Sequence, residues 1–566
     1  MKGSFIQEVT SKFYAKNNMI KMNLVKNCFV WVLSILLLGC ASPVNDSLLS
    51  TDVFILGGSE AGFTAAIQAS RLGKSVVLVE PTGHPGGMIV EGLGKDIRFG
   101  SSRVIGGIAR EFYIAIEQYY GLEPDFDNPE WYSKYEPSIA EKIIEEMLAN
   151  EKNISIIRKN RIKENNGVEK KGTKITKIIL ENGQSIAAKI YIDASIEGHL
   201  INFTGITTET IREGNNKYNE SLNGVQKENA FRQFLIQVDP YIIVGDSTSG
   251  LIKTIQEGDL GEQGDPSKYI QGFCYRMCLT KDKNNSIPIS KPDNYDPNKY
   301  EIYKRYLNKG GQLFKPNSNR HNGKTDIGSW HDLSANLYGE NWKYPTGSYK
   351  IQDSIVQDHR DFTMGLIWFL QHDSSVDSLT RSNWKGWGLP KDEFTDNEHW
   401  PRRLYIRSAR RMVSDYIITE HNTKLVHPDT ISDPVAIAWW PPDMHHARRI
   451  VKDDFAYNEG FTHVGGNKNW KPFAISYKAT VPKKNECTNI ITPTCLSSSY
   501  VGYGSIRIVP TFMILGQSAG AAAAIAIDEN IRVQNIPYEI LNKTLLNNNQ
   551  ILKIPENWLE IISSNN

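Results

Sequence analysis

Two short stretches late in the chain concentrate side chains able to move protons and hold anions. "PPDMHHARR" carries Asp443, His445, His446 and Arg448, and "RLYIRSARR" carries Arg407, Arg410 and Arg411. Imidazole is the side chain best suited to exchanging a proton near neutral pH, and guanidinium steadies negative charge that is fixed or develops during a reaction. That pairing fits removal of hydride from an alcohol or amine, where a base must stand near the donor carbon. Read as one helix, the second stretch puts Arg407 and Arg411 on a shared face. The plainer alternatives are a salt-bridged surface helix and a structural histidine pair. "SSSYVGYGSIRIVP" adds a phenol and another guanidinium, so the candidate reacting set is His445, Tyr500 and Arg507.

Such a set needs a partner that accepts or gives electrons, and an earlier stretch is shaped to hold one. "DVFILGGSEAGFTAAI" reads as a strand, Val53–Leu56, a glycine turn, and a helix over Ala61–Leu72, with a second strand over Ser75–Glu80. Backbone amides at such a turn and helix start cradle a dinucleotide pyrophosphate. The fingerprint G-x-G-x-x-G is filled by Gly57, Ser59 and Gly62, so its second glycine is missing. The expected cradle is Gly57, Gly58, Ser59, Glu60, Ala61 and Gly62, with the Ser59 hydroxyl aimed at a pyrophosphate oxygen. Glu80 ends the second strand, where a carboxylate accepts from ribose hydroxyls and disfavours a 2′-phosphorylated cofactor. A further glycine loop, "PTGHPGGMIVEGLG", with Gly86, Gly87 and Met88 and then Gly92 and Gly94, lets backbone pass close to a longer ligand. A bare nicotinamide site has no need of it, so the expectation is FAD. His84, beside this loop, is a candidate point for covalent attachment.

The blocks "GGSEAG", "LVE", "PGGM", "YEPSIAEKIIEEML", "YIDASIEGHL", "REGNNKYNESLNG", "YRMCLT", "WGLPKDEF", "RLYIRSARRM" and "ECTNIITPTCLSSSYVGYGSIRIVPTFMILGQSAG" span nearly the whole chain beyond its leader. Together they resemble the FAD-dependent oxidoreductases of the glutathione reductase and fumarate reductase superfamily, in a branch of secreted or periplasmic bacterial flavoproteins. The resemblance implies an α/β protein: a discontinuous Rossmann-like, glutathione reductase-type FAD-binding domain with a mixed α+β substrate cap. It tolerates a small residue at the Ser59 position. It also implies that the strand ending at Asp193-Ala194-Ser195 returns beside the cofactor. "IRIVPTFMILGQSAGAAAAIAI" reads as a strand, a turn and an Ala-rich helix with free amides at Gly516, Gln517, Ser518 and Ala519. In the superfamily such a helix end faces the flavin pyrimidine and stabilises negative charge there. Relatives carry His at the Tyr500 position and Glu at those of Val509 and Ser408. This chain departs at all three, which shifts an acid/base role to His445 or Tyr500 or implies a different substrate. Arg507 keeps the family character.

Gly516 to Gly520 also fits G-x-S-x-G, the nucleophile elbow of α/β-hydrolases. That fold needs a histidine after the serine, and the last one here is His463. The remaining features bound the partners. A chain of 566 residues is long enough for more than one core, and 64 basic against 63 acidic residues give no pull towards nucleic acid. "KMNLVKNCFVWVLSILLLGC" has basic residues, an apolar run and a small residue before Cys40, as in a lipoprotein signal, with Met1 or Met22 as the start. Export and a lipid anchor at Cys40, on the periplasmic or cell-surface face, are expected. Cys487 and Cys495 are spaced to close a short loop, or stay as free thiols. Cysteine spacing argues against an iron–sulfur cluster or structural zinc. The organisation expected is a signal over 1–39, a linker over 40–50, FAD-binding segments over 51–205 and 481–530, a cap over 206–480 and a tail over 531–566. No second dinucleotide unit is visible, so the electron acceptor stays open between a quinone, a protein carrier and oxygen, and either direction of flow is open. Most of the tryptophans gathered in the cap are expected in its core, with a few left to stack on sugar rings. Two readings follow: an exported FAD-dependent oxidoreductase acting on a small organic or sugar-like molecule, and a glycan-binding lipoprotein that keeps the fold without turnover.

Overall fold

A computed structural model describes residues 48–564 except 95–98, 129, 229–231, 329–331, 427–430 and 464–468. The signal over 1–39, Cys40, most of the linker and Trp330 lie outside the described residues. Strand β1, Leu49–Leu56, leads through the glycine turn into helix α1, Glu60–Arg71, and then strand β2, Val76–Glu80. β1 starts earlier than its apolar run because Leu49–Thr51 pair with Ile186–Ala188. Helices α2, Gly107–Tyr119, and α3, Pro137–Ala149, come next, followed by strands β3, Ile154–Arg158, β4, Val168–Lys171, β5, Lys174–Ile179, and β6, Ser185–Asp193.

These strands form one sheet in the order β3-β2-β1-β6-β5-β4, and a late two-residue strand, Ile490–Ile491, also adds to β6 in parallel. Pairing is parallel from β3 through β6 and antiparallel where β5 joins β6 and β4 joins β5. The short apolar strands are buried on both faces, as parallel pairing requires. Val53, Ile55, Val76, Leu78, Ile190 and Ile192 point into one core, while Phe54, Leu56, Val77, Val79 and Tyr191 point into another. The period of two is what strand geometry dictates.

The segment 206–480 is more regular than its composition suggests. It contains the 24-residue helix α4, Tyr349–His372, whose buried Ile355, His359, Phe362, Leu366 and Leu370 recur at helical spacing. A separate core gathers α4 with Phe273, Tyr300, Leu333, Trp384 and Trp400. The boundary expected at 480 is crossed: Ile418, Val435, Ala436, Phe473, Ile475 and Ala479 belong to the core under α1. Among the tryptophans of this segment, Trp384, Trp400, Trp439 and Trp470 are wholly buried in cores, and Lys268 covers the Trp342 ring.

The chain then returns through helices α5, Tyr500–Ile506, and α6, Val509–Asp528. Here the expected strand is absent. Ser499 caps α5 by accepting from the Gly502 amide at 3.0 Å, and Pro510 sits in the first turn of α6, where its missing N–H costs nothing. The β-branched run Ile506–Val509 therefore spans a break between two helices. α6 packs on α1 at very short range: a Cβ at Gly516 would stand 2.1 Å from the Ala61 carbonyl, and one at Gly520 2.4 Å from that of Ala65. Two glycines four apart on one face permit this approach, and Thr64 Oγ1 donates across it to Met513 O at 2.8 Å.

Candidate active site

The glycine turn is held by the strands it joins. Gly57 has φ +88°, and a Cβ there would meet Ser195 N at 2.9 Å, so β6 does end against the turn. Ser59 is the N-cap of α1: its hydroxyl accepts from Gly62 N at 3.3 Å and donates to Ala194 O at 2.6 Å. It is thereby committed to protein partners and not to a pyrophosphate oxygen. Ala61 packs under α6 at its carbonyl, and Gly62 is required because a Cβ would lie 1.9 Å from Gly57 O. The Glu80 carboxylate is buried and accepts from Gly58 N at 2.6 Å, from Thr82 and from Arg403 Nη2 at 2.8 Å. It organises the turn from behind.

The second glycine loop closes onto the same turn. Gly86 N donates to Gly58 O at 2.6 Å, and Met88 N donates to the Glu60 carboxylate at 2.7 Å. Gly87, with φ +61°, leaves room for that carboxylate, since a Cβ would meet its Oε2 at 2.4 Å. Gly92 and Gly94 make way for Arg276 O and the Arg320 guanidinium. These glycines thus serve contacts inside the protein as well as any ligand. The His84 ring is clamped between Glu141 and Asp396, 2.9 Å from the latter, and the bond to Glu141 holds its pKa above the usual value.

A narrow cleft lies beside this loop. From the glycine-rich side come Glu60, Gly87 and Met88; from the end of β6, Ile196; from the stretch 403–407, Arg403, Tyr405 and Arg407. Tyr503 on α5, Arg507 at the break, and Val509 and Phe512 in the first turn of α6 complete it. Ile508, the residue before α6, provides no side-chain cap, so the helix start faces this region without one.

The reacting residues gather only in part. Arg507 lines the cleft, donating to Asp443 O at 2.8 Å and Tyr405 Oη at 3.1 Å, with Asp443 Oδ2 3.4 Å away. His445 Nε2 is 3.5 Å from Asp443 Oδ1. Burial, and then the nearby Arg407 charge, push its pKa down to about 3, so it is a neutral imidazole. Tyr500 stands back from the cleft. Its hydroxyl accepts from Gln271 N at 2.9 Å, and burial raises its pKa to about 12. Tyr503, one turn on, takes its expected place at the cleft wall.

Three site expectations are overturned. The amides of Gly516, Gln517, Ser518 and Ala519 are in mid-helix and have no free donors; their side chains brace α6. Gln517 accepts from Ile108 N at 2.9 Å, and Ser518 donates to Val435 O at 2.6 Å. The free helix start is Val509–Phe512, seven residues earlier, because the helix nucleates at Pro510 and not after the glycine. This also removes the elbow geometry, which needs a strand before the serine. Asp193 is turned inward, accepting from Ser195 N, Ser195 Oγ and Ile201 N at 3.1, 2.6 and 2.8 Å, and burial lifts its pKa to about 6. Finally, residues 403–410 are extended and not helical: Tyr405 bridges Cys274, and Arg411 pairs in a strand with Glu209 and bonds Glu213. Arg407 and Arg411 therefore share no face. The alternation Arg403-Leu404-Tyr405-Ile406-Arg407 was the signal for this, period two and not 3.6. All four described cysteines are free and buried, so Cys487 and Cys495 form no disulfide.

The cleft residues suit a ligand that is both planar and anionic. Met88, Tyr503 and Phe512 give apolar walls, while the Nε atoms of Arg403, Arg407 and Arg507 are buried without hydrogen-bond partners. No curated protein matches the chain. PqsL from P. aeruginosa, solved with 2-aminobenzoylacetate, is 15% identical over 28% of this chain and 47% of its own, with a TM-score of 0.23. The flavin-dependent brominase Bmp2 is 16% identical over 29% and 42%, with a TM-score of 0.22. The p-nitrophenol 4-monooxygenase PnpA from Pseudomonas putida DLL-E4 is 14% identical over 30% and 46%, at 0.21. The chain thus spans less than half the length of these solved chains. The family model for FAD dependent oxidoreductases, by contrast, matches residues 52–545, so the chain belongs to that family and FAD is its cofactor.

Proposed function

We propose that this protein is an exported, lipid-anchored flavoenzyme that moves hydride between a small organic substrate and FAD. The observation carrying the reading is the cleft: it joins the glycine-rich turn and loop to a set of buried guanidinium groups and an uncapped helix start. A Rossmann-like domain built in more than one piece, 51–205 and the return after 481, holds the cofactor, and much of 206–480 covers it as a cap. Gly57, Gly58 and Gly62 shape the turn on which the pyrophosphate rests, and Glu80 with Arg403 fixes that turn. Met88, Tyr503 and Phe512 would flank a flavin in this cleft, and the first turn of α6 with Arg507 would favour negative charge on it.

The bound flavin supplies a reversible two-electron acceptor. Arg507 is held in place by Asp443 and Tyr405 and offers positive charge to the same cleft. His445 is unprotonated, joined to Asp443, and stands behind the residues that line the cleft. The neutral state holds across the physiological range because both burial and Arg407 oppose protonation. The anchor at Cys40 places turnover on the outer face of a membrane, with the acceptor a quinone, a protein carrier or oxygen.

An absorption spectrum of the purified mature protein, with mass analysis of the cofactor released on denaturation, tests the reading. A yellow protein releasing intact FAD supports it. A colourless protein that does not take up FAD would sink it and leave the glycan-binding alternative, which gel retardation on polysaccharide would then test.

A further inference from the structure

The three arginines that line the cleft are not equivalent. Arg403 has Glu80 at 2.8 Å and Arg507 has Asp443 at 3.4 Å. Arg407 has no carboxylate within ion-pair distance among the described residues. Its Nη1 donates to the Gly272 carbonyl and to Asn336 Oδ1 at 3.0 Å, and its Nη2 to Cys274 Sγ at 3.2 Å. Its Nε has no partner, and the residue is 1% exposed. The guanidinium carbon lies 4.7 Å from the centroid of the Tyr405 ring, a face that attracts a cation without neutralising it.

A buried charge without a counter-charge is expensive, and an anionic ligand completing the pair would offset that cost. The nearby His445 is neutral, and its protonated form would carry the same sign as Arg407, so in neither state does it balance that charge. The groups that hold Arg407 (Gly272, Cys274 and Asn336) all come from 206–480, whereas the glycine-rich cofactor side contributes Glu60, Gly87 and Met88. The unbalanced charge therefore belongs to the substrate end of the cleft. Among the described residues no tryptophan lines the cleft, so nothing there offers an indole face to a sugar ring.

We propose that the cleft takes a small carboxylate as its substrate class, seated on the Arg407 guanidinium with its free Nε–H as one donor, with Tyr405 beside it. The proposal rests on the reading that the cleft is the substrate side of a flavin site, and it names the chemistry that side selects. A planar fork of N–H donors matches a carboxylate in a bidentate way that neutral sugars cannot reproduce.

The test is titration of the FAD-loaded protein at fixed ionic strength with acetate, glycolate, succinate and benzoate, with glucose as the neutral comparator. The readouts are the flavin difference spectrum and thermal denaturation. A saturable response to at least one carboxylate, weakened tenfold or more in Arg407→Gln at unchanged FAD content and partly kept in Arg407→Lys, supports the proposal. Response to glucose alone, or carboxylate binding undiminished in a FAD-replete Arg407→Gln protein, overturns it. Should Arg407→Gln fail to fold, the wild-type titration decides: no carboxylate response refutes the assignment. If Arg407 instead balances the flavin, Arg407→Gln lowers the flavin midpoint potential without ligand and leaves carboxylate binding intact, which also overturns it. The two levels separate cleanly. A colourless protein with an Arg407-dependent thermal shift on carboxylate defeats the flavin reading only, and a yellow one without that shift defeats this one only.

Discussion

Gly62→Ala is the most economical probe of the cofactor turn. The backbone at Gly62 is not in the left-handed region, so alanine brings no conformational strain of its own and the effect is purely steric. Its Cβ would lie 1.9 Å from Gly57 O and 2.9 Å from Gly57 C, where ordinary contact begins at 3.4 Å. The turn must therefore retreat from α1 by about 1.5 Å, and it cannot do so freely because Gly57 N donates to Val79 O at 2.8 Å and Gly57 abuts Ser195. Overpacking of this kind costs about 1–3 kcal/mol. In the free protein part of that cost is relieved by movement of the turn. With FAD bound the turn must return to its place, so the unrelieved part appears as lost affinity, roughly tenfold per 1.4 kcal/mol. The expected result is a tenfold or larger rise in the Kd for FAD, measured by flavin fluorescence on deflavinated protein, and no retained FAD in Gly62→Val. Gly73→Ala, at the far end of α1, is the control: φ is +77° but nothing lies within 4 Å, so it lowers stability and keeps FAD. A Gly62→Ala protein binding FAD within twofold of wild type would show that the cofactor does not rest on this turn.

Other consequences can be checked directly. Ser59→Gly should lower the melting temperature, through the lost cap and an unpaired Ala194 carbonyl worth about 1–3 kcal/mol, while FAD stoichiometry is unchanged, because the hydroxyl serves the protein and not the cofactor. Glu91 is buried, with its Oε1 3.7 Å from Arg402 Nη1 and without a hydrogen bond, and burial raises its pKa to about 7 from 4.5. Its protonated form is favoured on folding, so its stabilising contribution is complete below pH 4.5 and fades as pH rises through about 7. Relative to Glu91→Gln, wild type should therefore lose up to about 3 kcal/mol between pH 5 and 8 in urea denaturation; parallel pH dependences would refute this. A thiol reagent should leave Cys274, Cys278, Cys487 and Cys495 unlabelled in the native protein and label all four in urea without prior reduction. Recovery of a Cys487–Cys495 linked peptide would contradict the fold of that segment.

The parts of this fold that were legible from sequence are those in which one local rule decides. β1, the turn, α1 and β2 are set by an apolar run, glycines and a cap within thirty-odd residues, and each lies within a few positions of its expected place. Where two periodicities compete, reading along the chain failed. "RLYIRSARR" satisfies a four-residue spacing of arginines as well as a two-residue alternation, and tertiary pairing of Tyr405 with Cys274 selects the second. In "SIRIVPTF" β-branched residues favour a strand, yet Pro510 and the contact with α1 make it a helix start. Neither outcome follows without knowing which surface is on the other side. Arg403 and Tyr405 were missed as cleft residues for the same reason: their partners Glu80 and Arg507 are distant in sequence.

The placement of Gly516 illustrates how a motif can be right about importance and wrong about chemistry. The residues G-x-S-x-G invite a nucleophile, and the run Gly516–Ala519 invites a cofactor-facing helix start. The structure gives both glycines to the seam between α6 and α1, where backbone meets backbone at distances no side chain tolerates. That seam has a functional result all the same. α1 carries the glycine turn at its start, and α6 carries Val509 and Phe512 at its own. Since Gly516 and Gly520 lock the two helices at one separation, they fix the distance from the turn to the cleft wall. A Gly516→Ala change places a Cβ 2.1 Å from the Ala61 carbonyl and would push α6 outward along its whole contact with α1. The packing argument then requires that this substitution, at a residue that does not itself line the cleft, disturb the flavin spectrum as well as the melting temperature; loss of stability with an unchanged spectrum would mean that the two helix starts are positioned independently.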